Sequence, residues 1–232
     1  MGLTSPSTMN NEIGHGGFKT CHPAWLTSAS AKELYQWKCN QNLTSNKRSR
    51  FQGSLEFDKI IIEANLHHYA VALTTFALGY IDRQIQNKGP PPDLPIPSLR
   101  FVEAGVFVAL SNAAQHFKAG SGSDAPQKTY LLEEHIPISD GGDFIKYIHN
   151  GSPTPNISSS HPEYQTTLFL STLQHIQYIK THQYAYVSDY QSFGGILSDP
   201  QIMTSPTLLS IIYGPEVDGD DAAAAQLRST LW

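Results

Sequence analysis

In Tyr184-Ala-Tyr-Val-Ser-Asp-Tyr-Gln-Ser-Phe-Gly-Gly-Ile-Leu-Ser-Asp-Pro-Gln-Ile202, an apolar, aromatic run leads to one acid before a glycine pair and a second acid after it. Side chains alternate between the two faces of a strand, so a strand reaching Gln191 places Asp189 and Gln191 on one face. Gly194-Gly195 permits a tight turn that returns Asp199 towards them. Two carboxylates and an amide oxygen are hard oxygen donors, the kind that Mg²⁺ takes.

Outward from this stretch, residues 163–180 predict a helix with Leu168, Leu170, Leu173, Ile176 and Ile179 as its apolar positions. Residues 151–162, rich in Pro and Ser, predict a loop. Residues 141–150 are mixed, with Lys146 and Asn150 four apart, one helical turn. Residues 129–136 read as a strand ending in acids and connecting two lobes, and 111–128 as a loop. Residues 99–110 read as one or two strands. The longest helical pattern covers 56–87, where Ile60, Ile61, Ala64, Tyr69, Ala72, Leu73, Phe76, Tyr80 and Ile81 recur at three- and four-residue spacing. A Gly-Pro-Pro-Pro run from Gly89 ends it. Glu63 within it is either a surface carboxylate or the ion-pair partner of a lysine. Two strands are expected in 25–39 around Ser28-Ala-Ser30, the second carrying Lys38 at its end, and a polar loop runs on to Gln52. Gly14, Gly16 and Gly17 suit a loop that approaches a phosphate, or an ordinary hairpin turn. Residues 1–12 are expected to be disordered and 216–232 poorly ordered.

A net charge of −5 without a long Lys/Arg run leaves no electrostatic footprint for nucleic acid, so none is expected as a partner. Lys47-Arg48-Ser49-Arg50 reads as a solvated loop. Cys21 and Cys39 form no CxxC pair, which favours a reducing compartment. The sequons at Asn42, Asn150 and Asn156 carry little weight without a signal peptide, and no apolar run is long enough to span a bilayer. A cytoplasmic location without membrane partners is the expectation. Ten scattered histidines without an H-E-x-x-H motif disfavour a metal hydrolase. A strand-rich first half, one long helix, a connector near residue 133 and a mixed second half predict an α+β fold. Two lobes, about 13–132 and 133–215, would enclose a cleft.

The block Leu170-Ser-Thr-Leu-Gln-His-Ile-Gln-Tyr-Ile-Lys-Thr-His-Gln-Tyr-Ala-Tyr-Val-Ser-Asp-Tyr-Gln191, followed by Leu197-Ser-Asp-Pro-Gln-Ile202, resembles the alpha-kinase family of atypical serine/threonine protein kinases. That family has a helix with a histidine, a strand ending Asp-Leu-Gln-Gly, then Leu-Thr-Asp-Pro. Asp189 follows His175 by 14 residues and precedes Asp199 by 10, as in the family. Leu132-Glu-Glu-His-Ile136 with the segment from Gly142 to Asn150 resembles the family's adenine-pocket region, and the segment from Glu63 its N-lobe helix. The resemblance covers roughly 13–205.

The resemblance implies a two-lobed alpha-kinase-type fold with an ATP cleft, and ATP- and Mg²⁺-dependent phosphorylation of protein Ser/Thr. It implies that Lys38 contacts phosphates with Glu63 as partner, and that backbone near Glu133 or Glu134 holds adenine. Lys146 and Asn150 would line the nucleotide site. Asp189 would be the catalytic carboxylate, and Gln191 and Asp199 the Mg²⁺ ligands. H-R-D and D-F-G, the signatures of conventional kinases, are absent from the sequence. His175 falls at a position that in the family binds structural zinc with a His-x-Cys-x-x-x-Cys tail. Here Tyr213-Gly-Pro-Glu-Val-Asp-Gly-Asp-Asp221 replaces the preceding loop, and no cysteine follows Cys39. One histidine makes no closed zinc site, so His175 is a vestigial ligand or a capped or buried helix histidine. Ser192 replaces the glycine after Gln191. The alternative expectation is a truncated or catalytically impaired relative that binds nucleotide or serves as an interaction module.

Overall fold

The computed structural model describes residues 2–4, 14–15, 19–27, 32–44, 47–51, 53–92, 95–110, 126–138 and 142–208; in the strands before residue 51, other than 21–23, and at 53, 110 and 126–127 it describes the backbone alone. Strands β1 (Gly2–Thr4), β2 (Gly14–His15), β3 (Lys19–Thr27), β4 (Lys32–Thr44) and β5 (Lys47–Arg50) precede helix α1 (Gly53–Lys88). Then come β6 (Arg100–Phe101), β7 (Ala104–Leu110), β8 (Pro126–Glu134), β9 (Ile145–Lys146), β10 (Ile148–His149) and β11 (Ser152–Pro155). Helix α2 (Tyr164–Lys180), β12 (Ala185–Ser188), β13 (Gln191–Phe193), β14 (Ile196–Ser198) and β15 (Gln201–Thr204) complete the order. The mixture of helix and sheet agrees with the α+β expectation. Among the described residues, no helix is long and apolar enough to cross a membrane.

The chain divides into two units, Met1–Asn65 with Val102–Pro137, and Leu66–Phe101 with Ile138–Trp232. The first holds an antiparallel sheet in the order β1-β3-β4-β8-β7, with β2 on β3 and β5 on β4. Ile60, Ala64 and Leu131 form its buried cluster with Ala104 and Val106 against them. Two expectations fail here. Gly2–Thr4 pairs with Trp25, Leu26 and Thr27 instead of being disordered, because the edge of β3 offers backbone groups that a tripeptide can satisfy. Lys47–Arg50 pairs with β4 instead of forming a solvated loop; ladder bonds are made by the backbone, and polar residues make them too. Gly14 lies opposite Cys21, while Gly16 and Gly17 fall outside the described residues, as do the tail 216–232 and most of the loop expected at 111–128.

Helix α1 buries Ile60, Ala64, His67, Ala70, Thr74 and Ala77, three or four residues apart, as one helical face requires. Tyr69 and Phe76, expected in that stripe, are instead exposed by 65% and 44%. Small residues let neighbouring elements approach closely, and the bulky ones are left outside. Gly89 at φ 82° closes the helix by donating its N–H to the Ile85 carbonyl at 2.8 Å, a left-handed cap that the prolines after it cannot extend.

In the second unit, Ala70, Ala77 and Phe101 join Tyr147, Ile148, Leu170, Leu173, Val187, Tyr190, Leu197 and Ile202 in one core. This shared core is why 66–101 groups with the later residues. A four-stranded sheet runs β6-β14-β13-β9, with β6 parallel to β14 and the other pairs antiparallel. Two further pairs are β10–β11 and β12–β15. The expected helical turn from Lys146 to Asn150 does not form. Ile145 and Lys146 pair with Ser192 and Gln191, and the N–H groups of Tyr147 and Ile148 both reach the Tyr190 carbonyl, at 2.9 and 3.4 Å. Distant partners outweigh local spacing. Likewise Ser152–Pro155, expected as loop, pairs with β10.

The stretch from Tyr184 to Ile202 is therefore not one strand and a return. The chain leaves β12 at Asp189 (φ 58°), runs β13 and β14 around Gly194 (φ 58°) and Gly195 (φ 81°), and breaks again at Asp199 (φ 52°) before β15. Positive φ at both central residues is the hairpin turn that matches strand twist. A Cβ on Gly195 would also lie 2.7 Å from the Ser98 carbonyl oxygen.

Candidate functional site

Asp189 and Gln191 do not share the face of a continuous strand, because the break at Asp189 separates β12 from β13. What unites them is Lys146. Its ammonium lies 2.5 Å from Asp189 Oδ1, and its backbone is in register with Gln191. Directly paired residues of an antiparallel ladder sit on the same face. Asp189 is 6% exposed, whereas the Lys146 side chain keeps 35% of its surface in contact with solvent. Apart from Lys146, Oδ1 has no partner among the described residues. A buried carboxylate is stable there because the ammonium balances its charge.

The backbone on each side of Asp189 is fixed. Ser188 Oγ donates to the His149 carbonyl at 3.1 Å, and the Tyr190 carbonyl receives the bonds from Tyr147 and Ile148. Gln191 also pairs across the hairpin with Ser198, so Asp199 is one residue beyond its partner. Gln191 and Asp199 are both half-buried. Both carry oxygen donors of the kind a hard divalent cation takes, Gln191 on β13 and Asp199 just past the end of β14. Asn150 is exposed and donates to Gln201 Oε1 at 2.9 Å; Asn156 Nδ2 holds the Lys146 carbonyl at 2.9 Å.

His175 is exposed on α2, neither capping nor buried, and among the described residues no three His, Cys, Asp or Glu side chains are placed to share a metal ion. The described residues do not form a structural zinc site.

In the first unit, Lys38 is paired in backbone register with Cys21 and Leu131, and its expected ion pair with the half-buried Glu63 falls outside the described side chains. Glu133 is 2% exposed and lies in register between Gln36 and Ala104, within the sheet. Glu134 ends the ladder, with its N–H bonded to the Glu103 carbonyl at 2.8 Å and its carboxylate accepting from Glu103 N–H at 3.3 Å.

Tyr190 was missed by sequence reasoning. It lies between Asp189 and Gln191, is 1% exposed and stacks beside Phe101 with centroids 6.4 Å apart. Burial pushes its phenol up to about 12, against the opposing effect of hydrogen bonds to Thr74 and Gln177. The available signal was a pair of glutamines, Gln174 and Gln177, in the apolar stripe of a helix. Buried amides need buried partners.

The chain matches the alpha-kinase family over residues 14–217. Comparison with curated protein sequences finds no match. Among solved structures, the chain is similar to the apoenzyme alpha-kinase domain of myosin-II heavy chain kinase A, with 14% identity, a TM-score of 0.47, and coverage of 87% of this chain and 75% of that one. For the same domain in complex with AMPPCP the values are 13%, 0.49, 88% and 74%. For a C-terminally truncated alpha-kinase domain of myosin heavy chain kinase they are 13%, 0.47, 87% and 76%.

Proposed function

The chain belongs to the alpha-kinase family, and from that premise we propose that it transfers the γ-phosphoryl group of ATP to serine or threonine hydroxyls of a protein substrate, with Mg²⁺. The observation that carries this reading is the buried Asp189 carboxylate held at 2.5 Å by Lys146, with Gln191 opposite Lys146 in the ladder. Phosphoryl transfer asks a protein for position and charge more than for covalent chemistry.

Asp189 orients the acceptor hydroxyl and takes its proton as the oxygen attacks the γ-phosphorus, while the bond from that phosphorus to the β–γ bridging oxygen breaks and ADP leaves. Lys146 fixes the direction of that carboxylate and, with Asn150, lines the nucleotide side. Gln191 and Asp199 would hold Mg²⁺, which when bound neutralises charge on the phosphate oxygens. In the first unit, the roles assigned are phosphate contact for Lys38, support of that lysine for Glu63, and adenine contact for the backbone near Glu133.

The test is phosphate transfer from ATP with Mg²⁺ to a basic helical protein substrate, with phosphoamino-acid analysis. Asp189→Ala is expected to lower turnover by about three orders of magnitude, as loss of a catalytic base does. Equal incorporation by wild type and variant would sink the assignment. Replacement of the family's loop by Tyr213-Gly-Pro-Glu-Val-Asp-Gly-Asp-Asp221 favours a second reading, a nucleotide-binding relative without turnover. It is distinguished by a thermal shift with ATP and Mg²⁺ in the absence of phosphate transfer.

A further inference from the structure

Gln174 and Gln177 stand three residues apart on one face of α2, 4% and 0% exposed. Gln174 Nε2 donates to the Val187 carbonyl at 2.9 Å, and Val187 N–H donates to Gln177 Oε1 at 2.9 Å. The other end of the Gln177 amide donates to the hydroxyls of Tyr190 at 3.3 Å and Thr74 at 3.5 Å. Strand β12 pairs with β15 alone among the described strands. At Val187 the two amides occupy the opposite edge as a neighbouring strand would, offering one donor and one acceptor.

The residue that both clamp is two before Asp189, and the hydroxyl that Gln177 alone holds belongs to the residue after it. Asp189 itself is in the left-handed region. Such a conformation persists at a non-glycine residue where its surroundings over-determine it.

We propose that Gln174 and Gln177 are positioning residues that, through Val187 and Tyr190, hold the Asp189 carboxylate against Lys146. Neither touches a reacting group. The effect on turnover rests on the kinase reading above; the effect on the Lys146–Asp189 pair does not.

The test uses the full chain carrying Gln174→Met, and a second variant with Gln177→Leu added. Gln174→Met removes the donor to Val187, but also removes Oε1, a buried oxygen without a hydrogen-bond partner among the described residues. The two losses offset one another in stability, so a cooperative melt near that of wild type is expected. The first readout is the rate at which an amine-reactive acylating reagent labels Lys146, followed by peptide mass spectrometry with the exposed Lys88 as internal reference. Labelling is expected to rise roughly threefold, the order of protection given by a partly exposed ion pair. The second readout is kinetic: kcat is expected to fall about tenfold with KM for ATP unchanged, the pattern of a displaced catalytic group.

Labelling of Lys146 at the wild-type rate in a folded variant overturns the proposal, and so does unchanged kcat in an active protein. A wild type that transfers no phosphate, together with faster Lys146 labelling in the variants, defeats the kinase reading and leaves the clamp standing. Should the double variant lose its cooperative melt, Gln174→Met decides alone.

Discussion

A left-handed backbone costs a non-glycine residue about 1–2 kcal/mol, and Asp189 and Asp199 both adopt it. Aspartate tolerates this better than branched or bulky residues do, and both acids stand where the chain passes between sheets. Tyr190, beside the first of them, carries a pH signature. Its phenol titrates at about 12 in the folded protein, against an ordinary value of 10.0. Below pH 10 it adds no pH dependence. Between 10 and 12 the unfolded chain loses the proton that the folded one retains, so stability falls as pH rises. Tyr190→Phe is expected to flatten this part of the decline in urea midpoints, while costing about 1 kcal/mol at neutral pH through the lost hydroxyl bond. Parallel midpoint curves for wild type and variant would contradict the assignment of the proton to Tyr190. Asp189, Gln191 and Asp199 could be singled out as candidates in the sequence because they form a local pattern of residue types. The Lys146 partnership was not, since it depends on the register between β9 and β13.

At the scale of elements, the hairpin of β13 and β14 depends on Gly195. Any side chain there meets both the positive φ and the Ser98 carbonyl oxygen at 2.7 Å. Gly195→Ala is expected to destabilise by about 1–3 kcal/mol, read as a lower Tm in thermal melts; Gly194→Ala, with open space around its Cβ position, carries only the backbone part. A Gly195→Ala melt no lower than that of Gly194→Ala would refute the close approach. The two helices were legible because their periodicity is long and local, and Gly89 with its prolines stops the first. The stretch 141–155 was not, because β9, β10 and β11 are strands of two to four residues, too short to show a period. Their partners supply the structure.

At the scale of the molecule, the second unit recruits residues from before and after the first unit's later strands. Its core needs Ala70, Ala77 and Phe101, and β14 has β6 as its parallel neighbour. A fragment of residues 138–208 is therefore expected to lack a cooperative melt and a near-ultraviolet circular dichroism signal; a sharp transition from that fragment would show that the earlier segments are dispensable. This interleaving was illegible in sequence, where the acids near residue 133 suggested a simple division into halves. The ribbon of β10 and β11 bears on behaviour in concentrated solution. Among the described strands, β11 pairs only with β10, and an open strand margin is a template on which another chain can pair. Two of its four residues, Pro153 and Pro155, have no N–H to offer a newcomer. Replacing both with valine is expected to raise light scattering on storage at high concentration while leaving the melt of the dilute protein in place, which would make these prolines guardians of solubility.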